Sequence, residues 1–131
     1  MKNIITSGRR KRSIAKATLK EGRGTVKVNN IDLKIYSPDF ARLKIMEPLI
    51  LAGEVASKID VDVTVRGGGS ITQSDAARLA IARALVEYNS KLKEVFLGYD
   101  RQLLVADIRV KEVSKPNHHG QARAKTQTSY R

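Results

Sequence analysis

Strict alternation of apolar and polar residues predicts one clear β-strand, over residues 59–66. Its apolar positions are all β-branched, and such residues pack well on a pleated, half-buried surface. Because successive side chains of a strand point to opposite faces, one face is predicted to be buried and the other to meet water. The residues predicted to be buried are Ile59, Val61, Val63 and Val65.

Two looser alternations lie earlier in the chain, over residues 13–19 and 25–28. The intervening residues 20–24 are typical of a turn, so the two segments are predicted to form a β-hairpin. The paired asparagines at residues 29–30 predict a second tight turn. Residues 31–35 then follow as a candidate for a short third strand.

A helix start is predicted at residues 37–39, where serine, proline and aspartate fit the cap, the first helical position and the first turn. Apolar residues at helical spacing follow over residues 40–51. Pro48 lies inside this pattern and lacks the backbone N–H that a helix interior needs. The pattern therefore predicts two short helices rather than one.

Three glycines at residues 67–69 end the clear strand, and a stronger helical pattern follows. Residues 72–75 match a capping box in which the aspartate answers the threonine, and apolar residues at helical spacing continue over residues 77–88. A shorter helix is predicted over residues 90–97, ended by Gly98. This order of elements predicts an α+β fold with two layers, a sheet backed by helices.

Composition narrows the class of partner. The chain has 131 residues, of which 25 are basic and 13 acidic, giving a formal charge of +12 and a pI near 10.2. This excess raises affinity for polyanions, so nucleic acid is the leading partner. An anionic membrane surface is the rival partner, but no apolar run approaches the roughly 20 residues that span a bilayer. No membrane partner is expected, and no secretion signal is predicted. The absence of cysteine excludes disulfides and thiolate metal sites and fits a cytosolic protein. No cofactor is expected.

Basic residues cluster at two places in the body of the chain. Arg9, Arg10, Lys11 and Arg12 form a run ahead of the first predicted strand, and Arg66 stands directly before the three glycines. A glycine-rich turn ahead of a helix presents unpaired N–H groups that can hold a phosphate. An RNA-backbone contact and a purely structural turn both stay open, whereas the glycine spacing matches neither mononucleotide-binding motif.

The last part of the chain, residues 110–131, is predicted to be an extended basic tail. Beyond Val113 its apolar residues are small alanines and one tyrosine, too few to offset the entropy of ordering. Extended at roughly 3.3 Å per residue, it could reach on the order of 65 Å. We therefore divide the chain into a globular RNA-binding domain, residues 1–109, and this tail. The adjacent His118 and His119 are interpreted as solvated residues rather than metal ligands.

The acidic residues do not indicate a catalytic centre. Asp60 and Asp62 lie two apart on a strand and hence on one face, but no acid–base partner and no means of excluding water are visible. A solvated sheet face is the better interpretation of this pair. Asp39, Asp75 and Asp107 are interpreted as residues of caps and turns. Enzymatic activity is not expected.

Segments spread over nearly the whole chain resemble the family of the universal ribosomal protein nine of the small subunit, in its archaeal and eukaryotic branch. They are G-R-R-K-R-S-I-A-K-A-T-L-K-E-G-R-G-T-V-K-V-N-N (residues 8–30), M-E-P-L (46–49), V-R-G-G-G (65–69), A-I-A-R-A-L-V (80–86), Y-D-R-Q-L-L-V-A-D-I-R (99–109) and A-R-A-K-T-Q-T-S-Y-R (122–131). Thr72 departs from the pattern, because the family usually has a further glycine before the glutamine that follows.

The resemblance implies a fold with a left-handed crossover, like that of the second domain of ribosomal protein five. It also implies a cytoplasmic protein in the head of the small ribosomal subunit, bound to the 3′ major domain of the ribosomal RNA. Neighbouring proteins of the head, numbers seven, ten and fourteen, are the implied protein partners. The tail is implied to run to the peptidyl site, where Arg131 meets the anticodon arm of the transfer RNA.

Candidate contacts follow from the basic clusters together with this resemblance. The transfer RNA contacts are expected at Tyr130 and Arg131. The ribosomal RNA contacts are expected at Arg9, Arg10, Lys11, Arg12, Lys16, Arg66, Gly67, Gly68, Gly69, Arg78, Arg109, Lys111, Lys115, Arg123 and Lys125.

Two other functions compete with a structural RNA-binding protein of the ribosome. A free-standing RNA- or DNA-binding module would share the charge but not the ordered segments. A small phosphotransfer enzyme could use the glycine loop, but it would lack a lysine that reaches the phosphate and a metal-binding pair of carboxylates.

Overall fold

A mixed sheet of five strands forms the first layer of the protein in a computed structural model, which describes residues 3–116 and residue 122. The strands are β1 (Ile4–Arg10), β2 (Ser13–Glu21), β3 (Val26–Val28), β4 (Ile31–Asp32) and β5 (Ile59–Arg66), in the spatial order β1-β2-β5-β3-β4. Strand β5 is antiparallel to β2 and parallel to β3. The predicted α+β class and the predicted strand over residues 59–66 are confirmed.

The second layer consists of three helices, α1 (Asp39–Ala52), α2 (Ser70–Tyr88) and α3 (Leu92–Tyr99), within the described residues. Helix α2 lies on β1, β2 and β5, and α1 packs against α2. Alternate residues of β2 and β5 are therefore buried, while those between them stay on an uncovered face. Short 3₁₀ turns occupy Leu33–Ile35, Gly53–Lys58 and Arg101–Leu103. No helix in the described part of the chain is long and apolar enough to cross a membrane.

Small side chains let α2 approach the sheet closely. The buried face of β2 begins with Ser13, Ala15 and Ala17, and the facing side of α2 is rich in alanine. At the edge strand β1, the Thr6 hydroxyl donates a hydrogen bond of 2.7 Å to the carbonyl of Ala80. Since packing attractions fall steeply with distance, this close fit gains contacts along the whole length of α2.

Strand β1 was missed by the sequence analysis. Residues 4–10 pair with β2 from Ile4 opposite Leu19 to Arg10 opposite Ser13. The basic run therefore covers the end of a strand and the turn after it, rather than preceding the first strand. The face of β1 that packs against the core holds Ile4, but its next two positions are Thr6 and Gly8, and at Gly8 the helix backbone leaves no room for a larger side chain. Residues 4–10 therefore show little of the apolar–polar alternation from which a strand is predicted.

The predicted hairpin between β2 and β3 is wrong, because β5 lies between these two strands. The turn itself forms, and Asp60 of β5 holds it by accepting hydrogen bonds from the N–H groups of Arg23 (2.9 Å) and Thr25 (3.0 Å). A turn signal specifies a change of direction but not the partner strand, and the most apolar strand takes the central place. The turn at Asn29 and Asn30 is confirmed, with φ of 51° and 65°, but the third strand shrinks to two residues.

Helix α1 does not break at Pro48, as the sequence analysis expected, but continues to Ala52. The Pro48 side chain is fully buried, and this burial offsets the loss of the hydrogen bond that a backbone N–H would have made at this position. The start also differs, because Pro38 is the N-cap and the Ser37 side chain does not cap the helix.

The other two helices also begin and end elsewhere than predicted. Helix α2 starts at Ser70 with Gly69 as its N-cap, so the predicted capping pair of Thr72 and Asp75 is wrong. Helix α3 passes through Gly98 and ends one residue later. Both differences arise because tertiary contacts at the termini outweigh the local capping preferences.

The close approach of β1 and α2 makes Gly8 sensitive to substitution. A Cβ at this position would lie 2.7 Å from the backbone nitrogen of Ala80 and closer still to the carbonyl oxygen of Ala76. We expect Gly8→Ala to lower the free energy of unfolding by about 1–3 kcal/mol through overpacking. Gly98→Ala is the matched control, because a Cβ there meets open space, and stability should rise by up to about 1 kcal/mol. Urea denaturation of both variants tests the pair, and equal effects would contradict the packing argument.

Candidate nucleic-acid interface

Three segments that are distant in sequence meet around one shallow concavity. They are the β1–β2 turn, the glycine loop that leads into α2, and the segment after the last 3₁₀ turn. The concavity is lined by Arg9, Arg10, Lys11, Arg12, Gly68, Gly69, Thr72, Arg109, Val110 and Lys111. Six of these residues are cationic, and the structure thus brings together six of the ten basic positions that the sequence analysis selected for ribosomal RNA within the described residues.

Hydrogen bonds hold the glycine loop against the β1–β2 turn, which we call the basic turn because it carries the run from Arg9 to Arg12. Ser13, which is fully buried, donates from its hydroxyl to the carbonyl of Gly67 at 2.8 Å. The Ser13 Oγ also lies 2.7 Å from the Oγ1 of Thr72, which in turn accepts from the N–H of Gly69 at 3.0 Å. Thr72, the residue that departs from the family pattern, therefore ties the loop to both β2 and the start of α2. Neither Ser13 nor the role of Thr72 was predicted, because a serine at a strand start carries no sequence signal for such a contact.

Two of the three glycines are required by backbone geometry. Gly67 and Gly68 have φ of 82° and 62°, in the left-handed region that other residues rarely adopt. A side chain at Gly67 would also collide with the carbonyl of Arg12, and one at Gly68 with the hydroxyls of Ser13 and Thr72. The glycine loop can therefore lie directly against the basic turn. Gly69 has open space around it.

The N-terminus of α2 opens into this concavity. It belongs to a helix of 19 residues, and the unpaired N–H groups of a first turn together with the helix dipole favour a negative charge. Gly68 and Gly69 stand at this end, beside the side chains of the basic run. The arrangement of cations around a helix N-terminus is suited to hold a phosphate group.

Asp107 links two of the arginines at the concavity. Its carboxylate accepts from the Nε and Nη2 of Arg109 at 2.9 and 2.6 Å and lies 3.1 Å from the Nη1 of Arg10. Hydrogen bonds from the Arg109 side chain, then from its backbone N–H, hold the pKa of Asp107 well below its usual range. Asp107 was interpreted as a turn residue, and it does accept the backbone N–H of Arg109. Its contact with Arg10 could not be predicted from the local sequence, because the two residues are far apart in the chain.

A second set of ion pairs lies deeper, between α1, α2 and the segment after α3. Arg78 of α2 lies 3.0 Å from Asp100 and also pairs with Glu47 of α1, and its side chain is 12% exposed. Asp75 pairs with Lys44 at 2.8 Å and more distantly with Arg10. Asp75 is thus an ion-pair residue and not the predicted cap. Arg78 holds helices together, in a place with little access for RNA.

Lys16 and Arg66 lie outside the concavity on the uncovered face of the sheet. Register places Arg9, Ile14 and Arg66 in one row across β1, β2 and β5, with Lys16 in the next row. This row continues the positive charge from the basic turn onto the sheet. Asp62 is exposed on the same face, which agrees with its interpretation as a solvated residue.

The tail is described only in part. Residues 106–115 contain no regular helix or strand, and Lys115 pairs with Glu112. His118, His119, Arg123, Lys125, Tyr130 and Arg131 lie outside the described residues. Within residues 3–116 and at residue 122, no group of three or more potential ligands could hold a metal ion.

The fold and the concavity define a class, that of small basic α+β proteins in which a glycine loop and a helix N-terminus line a concavity rich in cations. A family model described as ribosomal protein S9/S16 matches residues 8–131. The small ribosomal subunit protein uS9 of Methanococcus vannielii is 48% identical over 134 residues, and that of Methanothrix thermoacetophila 50% over 133 residues. In both comparisons the match covers the whole of both chains. The chain belongs to the ribosomal protein S9/S16 family.

The link between Asp107 and its two arginines predicts a pH dependence. A carboxylate whose pKa is depressed on folding contributes stability above its unfolded value of 3.8, and this contribution is lost as the pH falls towards the folded value. The wild-type protein should therefore be more stable than Asp107→Asn at pH 7. The difference should shrink steadily below about pH 4.

Urea denaturation of both proteins across this pH range provides the test. Asp62→Asn is the control, since Asp62 makes no ion pair among the described residues. A difference between wild type and Asp107→Asn that stays constant with pH would contradict the role of the carboxylate.

Proposed function

We propose that the protein is a non-enzymatic structural constituent of the small ribosomal subunit in the cytoplasm. It binds the 3′ major domain of the ribosomal RNA in the head of the subunit through the basic concavity. Its tail runs towards the transfer RNA in the peptidyl site, and head proteins seven, ten and fourteen are its neighbours. Family membership supports the ribosomal role, and the concavity supports the contact with RNA.

The observation that carries this proposal is the convergence of six cations on a helix N-terminus. Like charges brought together repel one another, so their clustering costs free energy unless a polyanion binds. A phosphate backbone supplies that charge at regular spacing, and the N–H groups of the first helical turn can donate hydrogen bonds to one phosphate oxygen and hold it in a fixed position. Among the described residues, no aromatic side chain lines the concavity, which agrees with recognition of RNA backbone and shape rather than of bases.

The cations of the site have two different roles. Lys11 and Arg12 project from the β1–β2 turn into solvent and make no ion pair among the described residues, so they are free to bind phosphates. Arg10 is held by Asp107 and Asp75, and Arg78 by Glu47 and Asp100. We therefore assign RNA contact to the exposed cations, and the positioning of elements to Arg10 and Arg78.

The uncovered face of the sheet and the tail extend the RNA contact beyond the concavity. Lys16 and Arg66 on the uncovered face continue the positive surface from Arg9, and Lys111 places the start of the tail beside the concavity. Arg123 and Lys125 supply charge further along the tail, so RNA can hold the tail along its length. Tyr130 and Arg131 then arrive at the transfer RNA already positioned, which lowers the entropy lost on contact.

The exposed turn predicts a change in salt dependence. Each lysine or arginine that neutralises one phosphate adds about one unit to the slope of log affinity against log salt concentration. Arg12→Ala should therefore flatten this slope by about one unit for a fragment containing the 3′ major domain. Arg23→Ala is the matched control, because Arg23 is exposed at the opposite end of β2. Filter binding at several salt concentrations tests both, and an unchanged slope for Arg12→Ala would remove this residue from the interface.

The end of the tail predicts a separate effect on transfer RNA. Arg131 has a permanently charged, forked guanidinium suited to phosphate oxygens, and one such contact contributes about 1.5–3 kcal/mol. Deletion of the last three residues should leave subunit assembly intact and lower the affinity of the peptidyl site for transfer RNA roughly tenfold or somewhat more. Arg131→Lys should have a milder effect because it keeps the charge. Filter binding to purified subunits measures this, and equal affinities would refute a contact at the tip.

A further inference from the structure

We propose that a groove between α1 and the β3–β4 hairpin binds an acidic, apolar segment of another protein in the same particle. The groove is lined by Val26, Leu33, Leu43, Met46 and Leu49, with Arg23, Lys34 and Arg42 at its rim. The inference rests on the proposed function in one respect, because the partner must share the ribosomal subunit with this chain. It uses none of the residues assigned to RNA.

The groove has a contiguous lining of apolar side chains that are partly exposed to water. Leu43 is 57% exposed although it faces the groove, and Met46 and Leu49 beside it are half-buried. On α1 these residues follow at helical spacing, so they form a continuous stripe rather than scattered positions. Single exposed apolar residues are ordinary, but a contiguous apolar surface enclosed by two elements is typical of a protein–protein contact.

The charge around the groove specifies the chemistry of the partner. Arg23 and Lys34 direct no side-chain ion pair to any other described residue, whereas Arg42 pairs with Asp39 at 3.4 Å. Asp32 is the one acid among the described residues that line the groove, and it already accepts a hydrogen bond from the backbone N–H of Lys34 at 3.0 Å. A segment with apolar side chains for the floor and carboxylates for Arg23 and Lys34 would complement both features.

Other occupants fit this groove less well. RNA would place phosphates and sugars on an apolar floor, whereas protein interfaces with nucleic acid are more polar than those with protein. The tail of this chain has no acidic residue after Glu112, and Tyr130 is its only large apolar residue beyond Val113. A second copy would bring the same basic rim and a charge of +12 against the first.

The position of the groove allows both surfaces to be occupied at once. The basic concavity lies at the β1–β2 turn, and the groove lies at the other edge of the sheet, beside β3 and β4. Strand β2 also separates them lengthwise, since the turn after β2 that carries Arg23 is at the opposite end from the β1–β2 turn. RNA and a protein segment can therefore bind without competing for the same residues.

Photo-crosslinking in purified subunits tests the proposal with the full chain. The photoreactive residue p-benzoylphenylalanine replaces Leu43 in one protein and Leu97 in the matched control, because Leu97 is 43% exposed on α3 and does not line the groove. After reconstitution into small subunits and irradiation, mass spectrometry identifies the adducts. We expect position 43 to give an adduct with a protein segment that carries apolar and acidic residues, and position 97 not to give that adduct.

Charge reversal at the rim supplies a second measurement. Combining Arg23→Glu and Lys34→Glu should lower the yield of the position-43 adduct about fivefold or more, because attraction to carboxylates becomes repulsion. Lys91→Glu, an exposed lysine ahead of α3, should leave the yield unchanged.

The outcomes separate this inference from the proposed function. If the chain does not sediment with subunits, both proposals fall. If it sediments but position 43 gives adducts with RNA, with a second copy or with the tail, or gives none beyond position 97, the groove proposal alone is overturned. The same holds if the adduct forms on a basic segment or survives the reversal of Arg23 and Lys34.

Discussion

Helix α2 approaches β1 so closely that Gly8 has no room for a Cβ beside the backbone of Ala76 and Ala80. This contact decides where the start of α2 lies, and with it the glycine loop and the basic turn. The buried Ser13 then joins the loop to β2 through Gly67 and Thr72. A helix N-terminus, a glycine loop and a turn rich in arginine can form one surface because small residues bring them within hydrogen-bonding distance.

Repulsion among the clustered cations is the second constraint, because the protein must stay folded while no polyanion is bound to them. Asp107 and Asp75 neutralise Arg10, and Asp107 also holds Arg109 at the edge of the concavity. Salt screens partly buried ion pairs less than exposed ones, so the pairs of Arg10 persist at salt concentrations that weaken contacts of the exposed cations. The same acids that steady the fold therefore leave Lys11 and Arg12 available for phosphates. The basic turn and the apolar groove lie at opposite edges of the sheet, so the two surfaces share no residues.

Much of the fold could be predicted wherever local pattern and tertiary structure agree. The alternation over residues 59–66 predicted β5 with its correct limits, and the long helical pattern after the glycines predicted α2. Pro48 shows where this reasoning fails, because a preference of the backbone was outweighed by burial of the ring. Of the candidate site, the basic run, the glycine loop and Arg109 were selected from the sequence, and the structure places them around one concavity. The ion-paired state of Arg10 and Arg78 could not, because their partners Asp107, Glu47 and Asp100 are remote in sequence.

The sequence by itself determined the class of the protein, its excess of positive charge and its family, since charge, periodicity and ordered segments are properties of the chain that need no contacts. Only the tertiary structure decided which strands are neighbours, because a turn sets direction while hydrophobic burial selects the central strand. It also decided that β5 separates β2 from β3, that Thr72 secures the glycine loop, and that Asp107 restrains two arginines. These features depend on side chains that meet across the fold, and such distances are not encoded in any local stretch of residues.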